Sequence, residues 1–512
     1  MYVQVSRYKH YTRVRIVKKL SIAGKQVTKL VEHVGSARNE TELSILRITA
    51  QKRLAELTPQ RSLLDALDGI DHDSSRITFR DYYAYGLWNI IGGLYDSLGL
   101  PDNLLKYLVL ARIAQPKSKL TTARYLGDHL NRTIDVNSIY EYMDTLDKDT
   151  LMPLLLAYAQ KRAKDITGIA IAVVFYDVTT LYFETDEEDE ETTNLKTGEI
   201  LTGLRKKGYS KDHRFDLPQV VVGLTVDGSG FPLDFQVYEG NTYEGHTLMD
   251  GVRSVQSKLS LKPSDLTVVA DAGMLSQKNT DALENSGYSY IVGARIKSLN
   301  KTRTDEMLAW DYTKHKTFNT LMDKAARRRL IVTYSEQRAK RSQQNRNRLL
   351  KKLQAKLDHG MVVKKSKYVL LDTNEKLSGS VDQNKVAQDA RFDGLRGYVT
   401  NTDLSVDAVV AQYHNLWKVE KSFRMSKTDL RSRPVFHFKR ERILAHLLIC
   451  ICSLAVLREF EHRTALLKPE LGLSVALEQV LTIRQCTLHI PNQPDVTIYN
   501  ELTSVQQQLM KL

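Results

Sequence analysis

Three acidic side chains, far apart along the chain, have the type and setting that phosphodiester chemistry uses. Asp177 follows the apolar run Val173-Val-Phe-Tyr, and Asp271 follows Leu266-Thr-Val-Val-Ala. Glu420 lies in the segment Tyr413-His-Asn-Leu-Trp-Lys-Val-Glu-Lys-Ser-Phe-Arg. Two carboxylates at the ends of short β-branched runs and a third on a helix can converge on a pair of divalent ions. Ions so held, roughly 3.5–4 Å apart, activate an attacking oxygen and steady a leaving one during in-line displacement at phosphorus. Mg²⁺ suits such a site because it takes hard oxygen ligands and few carboxylates. A carboxylate ending a buried strand is seldom a packing choice. Each aspartate taken alone also fits a turn or a helix cap, Asp271 most of all, since a helix is expected after it.

The elements that must position these acids are legible in the hydrophobic patterning. Residues 1–36 alternate apolar and polar positions, punctuated by Gly24 and Gly35, and predict a small β-meander with a basic face. Residues 37–165 read as helical. Within them Leu120 to Leu130 and Val136 to Leu146 form two short amphipathic helices joined at 131–135. That spacing suits either a helix-turn-helix that reads DNA or an ordinary helical hairpin. From 167 the pattern changes to strands at Ile169–Tyr176, Leu217–Val226, Phe231–Tyr238, Leu266–Ala270 and Tyr288–Val292, with helices at His246–Leu259 and Ser276–Glu284. Three strands, helix, strand, helix, strand is the order of a ribonuclease-H-like α/β core, here spanning 166–294 and resuming at 403–462. Residues 295–402 read as an inserted basic α+β domain. One continuous helix is expected over 404–427, a core helix over Arg440–Glu461, and a mixed tail over 463–512.

Composition narrows the partners. The 512 residues carry 74 Lys and Arg against 60 Asp and Glu, a formal charge of +14, which favours a polyanion. The longest apolar stretch, Ile443 to Leu457, contains His446 and is short for a membrane span, so no membrane is expected. No signal peptide is visible at the amino end. Cys450, Cys452 and Cys486 make no disulfide framework, consistent with a cytoplasmic, nucleoid-associated protein. The acidic run Glu184 to Glu191 reads as a solvated, disordered loop rather than a ligand set. The basic stretch from Arg327, Arg328 and Arg329 through Lys356 is a candidate phosphate contact or a solvated helix face. Lys211 and Arg214 are candidate DNA contacts or loop charges.

The chain resembles a DDE transposase of a bacterial insertion sequence, in the branch marked by a Tyr–Arg–Glu–Lys signature. Tyr413, Glu420 and Lys427 fall at the signature's spacings, and Leu416 stands where the arginine belongs. Asp177-Val-Thr-Thr, Gly208-Tyr-Ser-Lys-Asp-His-Arg, Gly240-Asn-Thr, Asp271-Ala-Gly-Met and Arg433-Pro-Val-Phe-His are similar as well. The resemblance covers roughly 170–460. It implies two Mg²⁺ or Mn²⁺ ions held by Asp177, Asp271 and Glu420, and phosphate contacts by Tyr413 and Lys427. Lys418 or Arg424 would supply the charge missing at Leu416. The expected activity is cut-and-paste transposition of double-stranded DNA. Terminal inverted repeats would be bound and cut, and their 3′-OH ends joined to target DNA by at least a homodimer. The alternatives are a two-metal nuclease or resolvase on the same fold, a non-catalytic DNA-binding protein derived from a transposase, and, more remotely, a basic membrane-surface protein.

Overall fold

The computed structural model describes the chain except residues 1, 9–10, 23–24, 40–41, 44–45, 48, 51–52, 54–77, 169–170, 194–199, 202, 275, 324–326, 360–366, 372–378, 468 and 490–494. The described residues fall into two compact units, one of Met1–Gly86 with Gln479–Lys511, the other of Leu87–Glu478 with Leu512.

In the first unit, β1 (Tyr2–Arg7), β2 (Thr12–Ile22) and β3 (Lys25–Ala37) form the expected antiparallel meander in the order β1-β2-β3. One side of it closes over Leu43 and Ala50 through Val14 and Ala37. A second sheet differs from expectation. β4 (Thr78–Tyr83) pairs antiparallel with Gln485–His489, which pairs in turn with Val496–Tyr499. The segment read as a tail therefore supplies two strands, and the expected helical stretch includes one. Strand partners some 400 residues apart leave no local signal. The expected helix over 54–77 lies outside the described residues.

The second unit opens with a π-helical turn at Leu87–Ile91 and a short helix at Gly92–Ser97, followed by helices α1 (Leu104–Ala114), α2 (Lys119–Leu130), α3 (Val136–Asp144) and α4 (Lys148–Thr167). α2 and α3 are the two short helices anticipated there. Asn131 in the left-handed conformation ends α2, and Asp135 caps α3. The sheet then begins with β5 (Val173–Tyr182), β6 (Gln219–Val226) and β7 (Pro232–Glu239), and continues through α5 (Leu248–Leu259), β8 (Thr267–Ala270), α6 (Gln277–Asn285) and β9 (Ser289–Ala294). β5 runs antiparallel to β6, and β6 to β7; β8 runs parallel to both β5 and β9. This is the strand order of a ribonuclease-H-like core, with β5 central. All eight residues of β6 are buried, as a strand covered on both faces requires.

The segment expected as an inserted basic α+β domain, 295–402, adds three strands to this sheet. β10 (Thr317–Asp323), β11 (Arg328–Tyr334) and β12 (Leu395–Thr400) complete the order β10-β11-β12-β9-β8-β5-β6-β7. The edge of β9 would otherwise expose unpaired backbone groups. β12 covers it antiparallel and buries Tyr398 and Val399. The long basic helix α7 (Glu336–Asp358) connects onward between β11 and β12.

The expected single helix over 404–427 is broken. α8 (Val406–His414), capped by Ser405, ends at Asn415; α9 (Trp417–Arg424) follows and runs into a wide π-helical turn at Met425–Asp429. The buried Leu416 sits at the break. α10 (Arg440–Ala465) is the core helix read from the sequence. It is long and apolar enough to cross a membrane, yet it is buried over nearly all of its apolar length, including Cys450 and Cys452.

Candidate active site

The sheet sets the first two acids side by side. Thr267 to Ala270 on β8 pair in register with Val173 to Tyr176 on β5, so the next residue on each strand is Asp271 and Asp177. Neighbouring strands lie about 4.8 Å apart. Asp271 leaves the end of its strand as expected. Asp177 does not: it is the fifth of the ten residues of β5, because Val178 to Tyr182 go on pairing with β6.

Side chains alternate across a sheet, so the neighbour of Asp177 shows which face it uses. Tyr176 points toward α5, where its hydroxyl donates to Thr247 Oγ1 at 2.8 Å. A Cβ at Gly223 or Gly251 would come within 2.3 Å of that ring or hydroxyl, so both glycines make room for it. Asp177 therefore faces the other way. There it lines an open cleft with Glu420 of α9, together with Lys211, Arg424, Lys427 and Arg433.

The electrostatics of Asp177 follow from this placement. Burial raises its carboxyl to about 6. The Lys211 ammonium and the Val178 N–H oppose that shift, while Asp271 and Glu244 add to it through like charge. Asp271 is itself held. The Tyr413 hydroxyl donates to its Oδ1 at 2.9 Å. Tyr413 is buried, stacks edge-on with Tyr398 and reaches over Gly293, where a Cβ would stand 2.4 Å from its hydroxyl. Burial, then the Asp271 charge, hold the Tyr413 hydroxyl well above its usual range, so it stays a donor. Glu420 is exposed at the cleft.

The other expected contacts divide into two groups. Lys427, on the π-helical turn, lies in the cleft and pairs with Asp212 at 3.4 Å, and Arg433 shares that carboxylate. Lys211 is 4.0 Å from Asp177 Oδ1 and 3.0 Å from Glu244 Oε1. Arg424 lines the cleft. Lys418 turns away and donates to the Gly228 carbonyl. The guanidinium of Arg396, on β12, lies 5.0 Å from the Tyr413 ring centre. Arg214 pairs with Asp216 across 3.4 Å. Arg327 pairs with Asp403, and Arg329 donates to the Thr402 and Leu404 carbonyls at 2.7 Å each. Arg328 is buried and binds Asp281 and Glu284 at 2.9 and 2.8 Å, joining β11 to α6. These basic residues have structural partners that no local pattern announces. The acidic run is also tied down: Asp189 pairs with Arg205 and accepts from its backbone N–H.

Sequence reasoning missed Glu244, Asp212, Arg396 and Arg433 as members of this neighbourhood. Asp212 lies inside the segment Gly208 to Arg214, and Glu244 follows Gly240-Asn-Thr, so both were within reach of the motifs.

The donor set fits a divalent ion. It consists of carboxylates, and the like charge crowded around Asp177 is what a cation relieves. Among the described residues no three acidic, imidazole or thiol groups already converge on one point, so the set is an open one rather than a preformed cage. Mg²⁺ ordinarily completes such a site with water and phosphate oxygens.

No curated protein sequence matches the chain. Among solved structures, the piggyBac transposase synaptic complex with hairpin DNA is similar at a TM-score of 0.38 and 10% identity, covering 85% of this chain and 79% of that one. A pre-cleavage Mos1 transpososome gives 0.16 and 12%, covering 36% and 57%. Both TM-scores are too low to carry a fold comparison. Residues 172–456 match the transposase DDE domain family, a span of more than half the sequence that contains Asp177, Asp271 and Glu420. The chain belongs to the transposase DDE domain family.

Proposed function

We propose that the chain binds the ends of a mobile DNA element, hydrolyses the phosphodiester at each end and joins the freed 3′-OH to target DNA. The observation that carries this reading is the parallel register of β5 and β8, which brings Asp177 and Asp271 next to each other in the sheet, with Glu420 lining the same cleft as Asp177. Family membership supports the reaction class.

Asp177, Asp271 and Glu420 would hold two Mg²⁺ or Mn²⁺ ions, which supply activation of the attacking oxygen and charge neutralisation at the leaving one. Asp177 has to release its proton to serve as a ligand, which its raised carboxyl does above about pH 6. Tyr413 fixes the orientation of Asp271 through its hydroxyl. Lys427, Arg433 and Arg424 present positive charge to the same cleft, where non-bridging phosphate oxygens of the end would lie. Lys427 and Arg433 exchange their shared Asp212 for phosphate as DNA enters. No covalent link between protein and DNA is needed, because water and then a DNA hydroxyl attack. The meander and the α2–α3 hairpin are the proposed end-binding elements, and holding two ends together calls for at least two protomers.

Cleavage and strand transfer on DNA carrying the element's terminal repeats test this. Asp177→Ala, Asp271→Ala and Glu420→Ala should each abolish cleavage while retaining end binding. Loss of binding together with cleavage contradicts the catalytic assignment. Cut DNA without joined product makes the protein a nuclease on the same fold.

A further inference from the structure

We propose that Glu244 is a fourth carboxylate of this centre, a positioning residue that holds the Lys211 ammonium beside Asp177. This role rests on the metal-dependent reading above and deepens it.

The Lys211 side chain is seated at several points. Its backbone N–H donates to Thr180 Oγ1 at 3.1 Å, and its ammonium donates to the Val178 carbonyl at 2.5 Å. From there the ammonium reaches Glu244 Oε1 at 3.0 Å and stands 4.0 Å from Asp177 Oδ1. The seat of Glu244 is more heavily built. The buried Asn279 amide donates to the Gly245 carbonyl at 2.7 Å and to the Met274 carbonyl at 2.8 Å. One side chain thus ties the Glu244 turn to the turn by which the chain leaves Asp271. Thr247 Oγ1 donates to the Glu244 carbonyl at 2.7 Å and accepts from the Tyr176 hydroxyl. The second carboxylate oxygen of Glu244 lies 3.9 Å from the place a Cβ on Gly273 would occupy. Glu244 is therefore fixed between the Asp177 and Asp271 segments.

A partly exposed ion pair contributes little to stability, and Lys211 and Glu244 retain 33% and 27% of their side-chain exposure. A buried mount beneath such a pair is what a site requires, not what a fold requires. The charges dictate the consequence. Glu244 adds negative potential where a divalent ion binds and keeps the ammonium from settling wholly on Asp177. Lys211 opposes the incoming ion. The two residues must therefore act on ion affinity with opposite sign.

Mn²⁺ titration of the full-length, DNA-free protein, followed by electron paramagnetic resonance, reads this without reference to turnover. Glu244→Gln should weaken Mn²⁺ binding by roughly ten-fold, and Lys211→Gln should tighten it. Glu244→Asp should recover part of the loss. Unchanged affinity in Glu244→Gln, or shifts of the same sign in both variants, overturns the role of Glu244. Asp177→Ala separates the two levels. Lost affinity there with unchanged affinity in Glu244→Gln overturns only this inference. Full affinity in Asp177→Ala overturns the metal-centre reading and the Glu244 role with it.

Discussion

At the scale of single residues, the acids differ in how they are held, and the differences have measurable consequences. Burial lifts the Asp177 carboxyl from 3.8 to about 6. The folded protein therefore binds that proton more tightly than the unfolded chain does. The charged carboxylate costs stability in full above pH 6, and the cost vanishes as the pH falls toward 3.8. Asp177→Asn should accordingly melt higher than the parent at pH 7 without metal, by up to about 3 kcal/mol, with the gap closing on acidification. A gap that widens in acid would contradict the burial account. Asp271 depends instead on a neighbour. Tyr413→Phe removes one hydroxyl from its shell, and outer-shell changes of this kind typically cost about 10–100-fold in metal affinity or activity. Single-turnover cleavage should fall by that order with end binding intact; unchanged cleavage would leave Tyr413 a packing residue. The Tyr413 hydroxyl is tied to the Asp271 carboxylate.

At the scale of elements, the strand order around β5 was readable because β6, β8 and β9 are continuous apolar runs bounded by turns. The midpoint position of Asp177 was not, because Val178-Thr-Thr-Leu-Tyr looks like a strand exit until its partner β6 is known. For the same reason β11 and β12 read as parts of an insert, since β12 attaches to β9 by a pairing across about a hundred residues and β11 joins the sheet through β12. The break at Leu416 was hidden by helical spacing that continues through it, and it places Tyr413, Glu420 and Lys427 on three successive pieces. Charge runs were the least informative feature. Arg328 looked like a phosphate contact and is a buried clamp between β11 and α6. Removing Arg328 leaves Glu284, only 14% exposed, without its ion-pair partner, which destabilises the junction of β11 and α6. Arg328→Met should lower the denaturation midpoint markedly and leave the DNA affinity of the folded fraction unchanged. Weakened DNA binding without a stability loss would restore the phosphate role.

At the scale of the whole molecule, two units share one chain, and the eight-stranded sheet draws its strands from residues 173 to 400. The net charge of +14 prepares the surface for a polyanion. On α7, Lys351, Lys352 and Lys356 are exposed. If they meet phosphates, changing all three to Gln should reduce the slope of log affinity against log salt by up to about three, uniformly across DNA sequences. An unchanged slope makes α7 a solvated face. The defining claim of the proposed centre is that Asp177 and Asp271 bind metal directly. Replacing each in turn with cysteine trades a hard oxygen ligand for a soft sulfur that Mg²⁺ refuses and Mn²⁺ tolerates. End cleavage by Asp177→Cys and Asp271→Cys should be lost in Mg²⁺ and partly regained in Mn²⁺, with end binding unaltered in both. Cleavage that persists in Mg²⁺ would contradict the account.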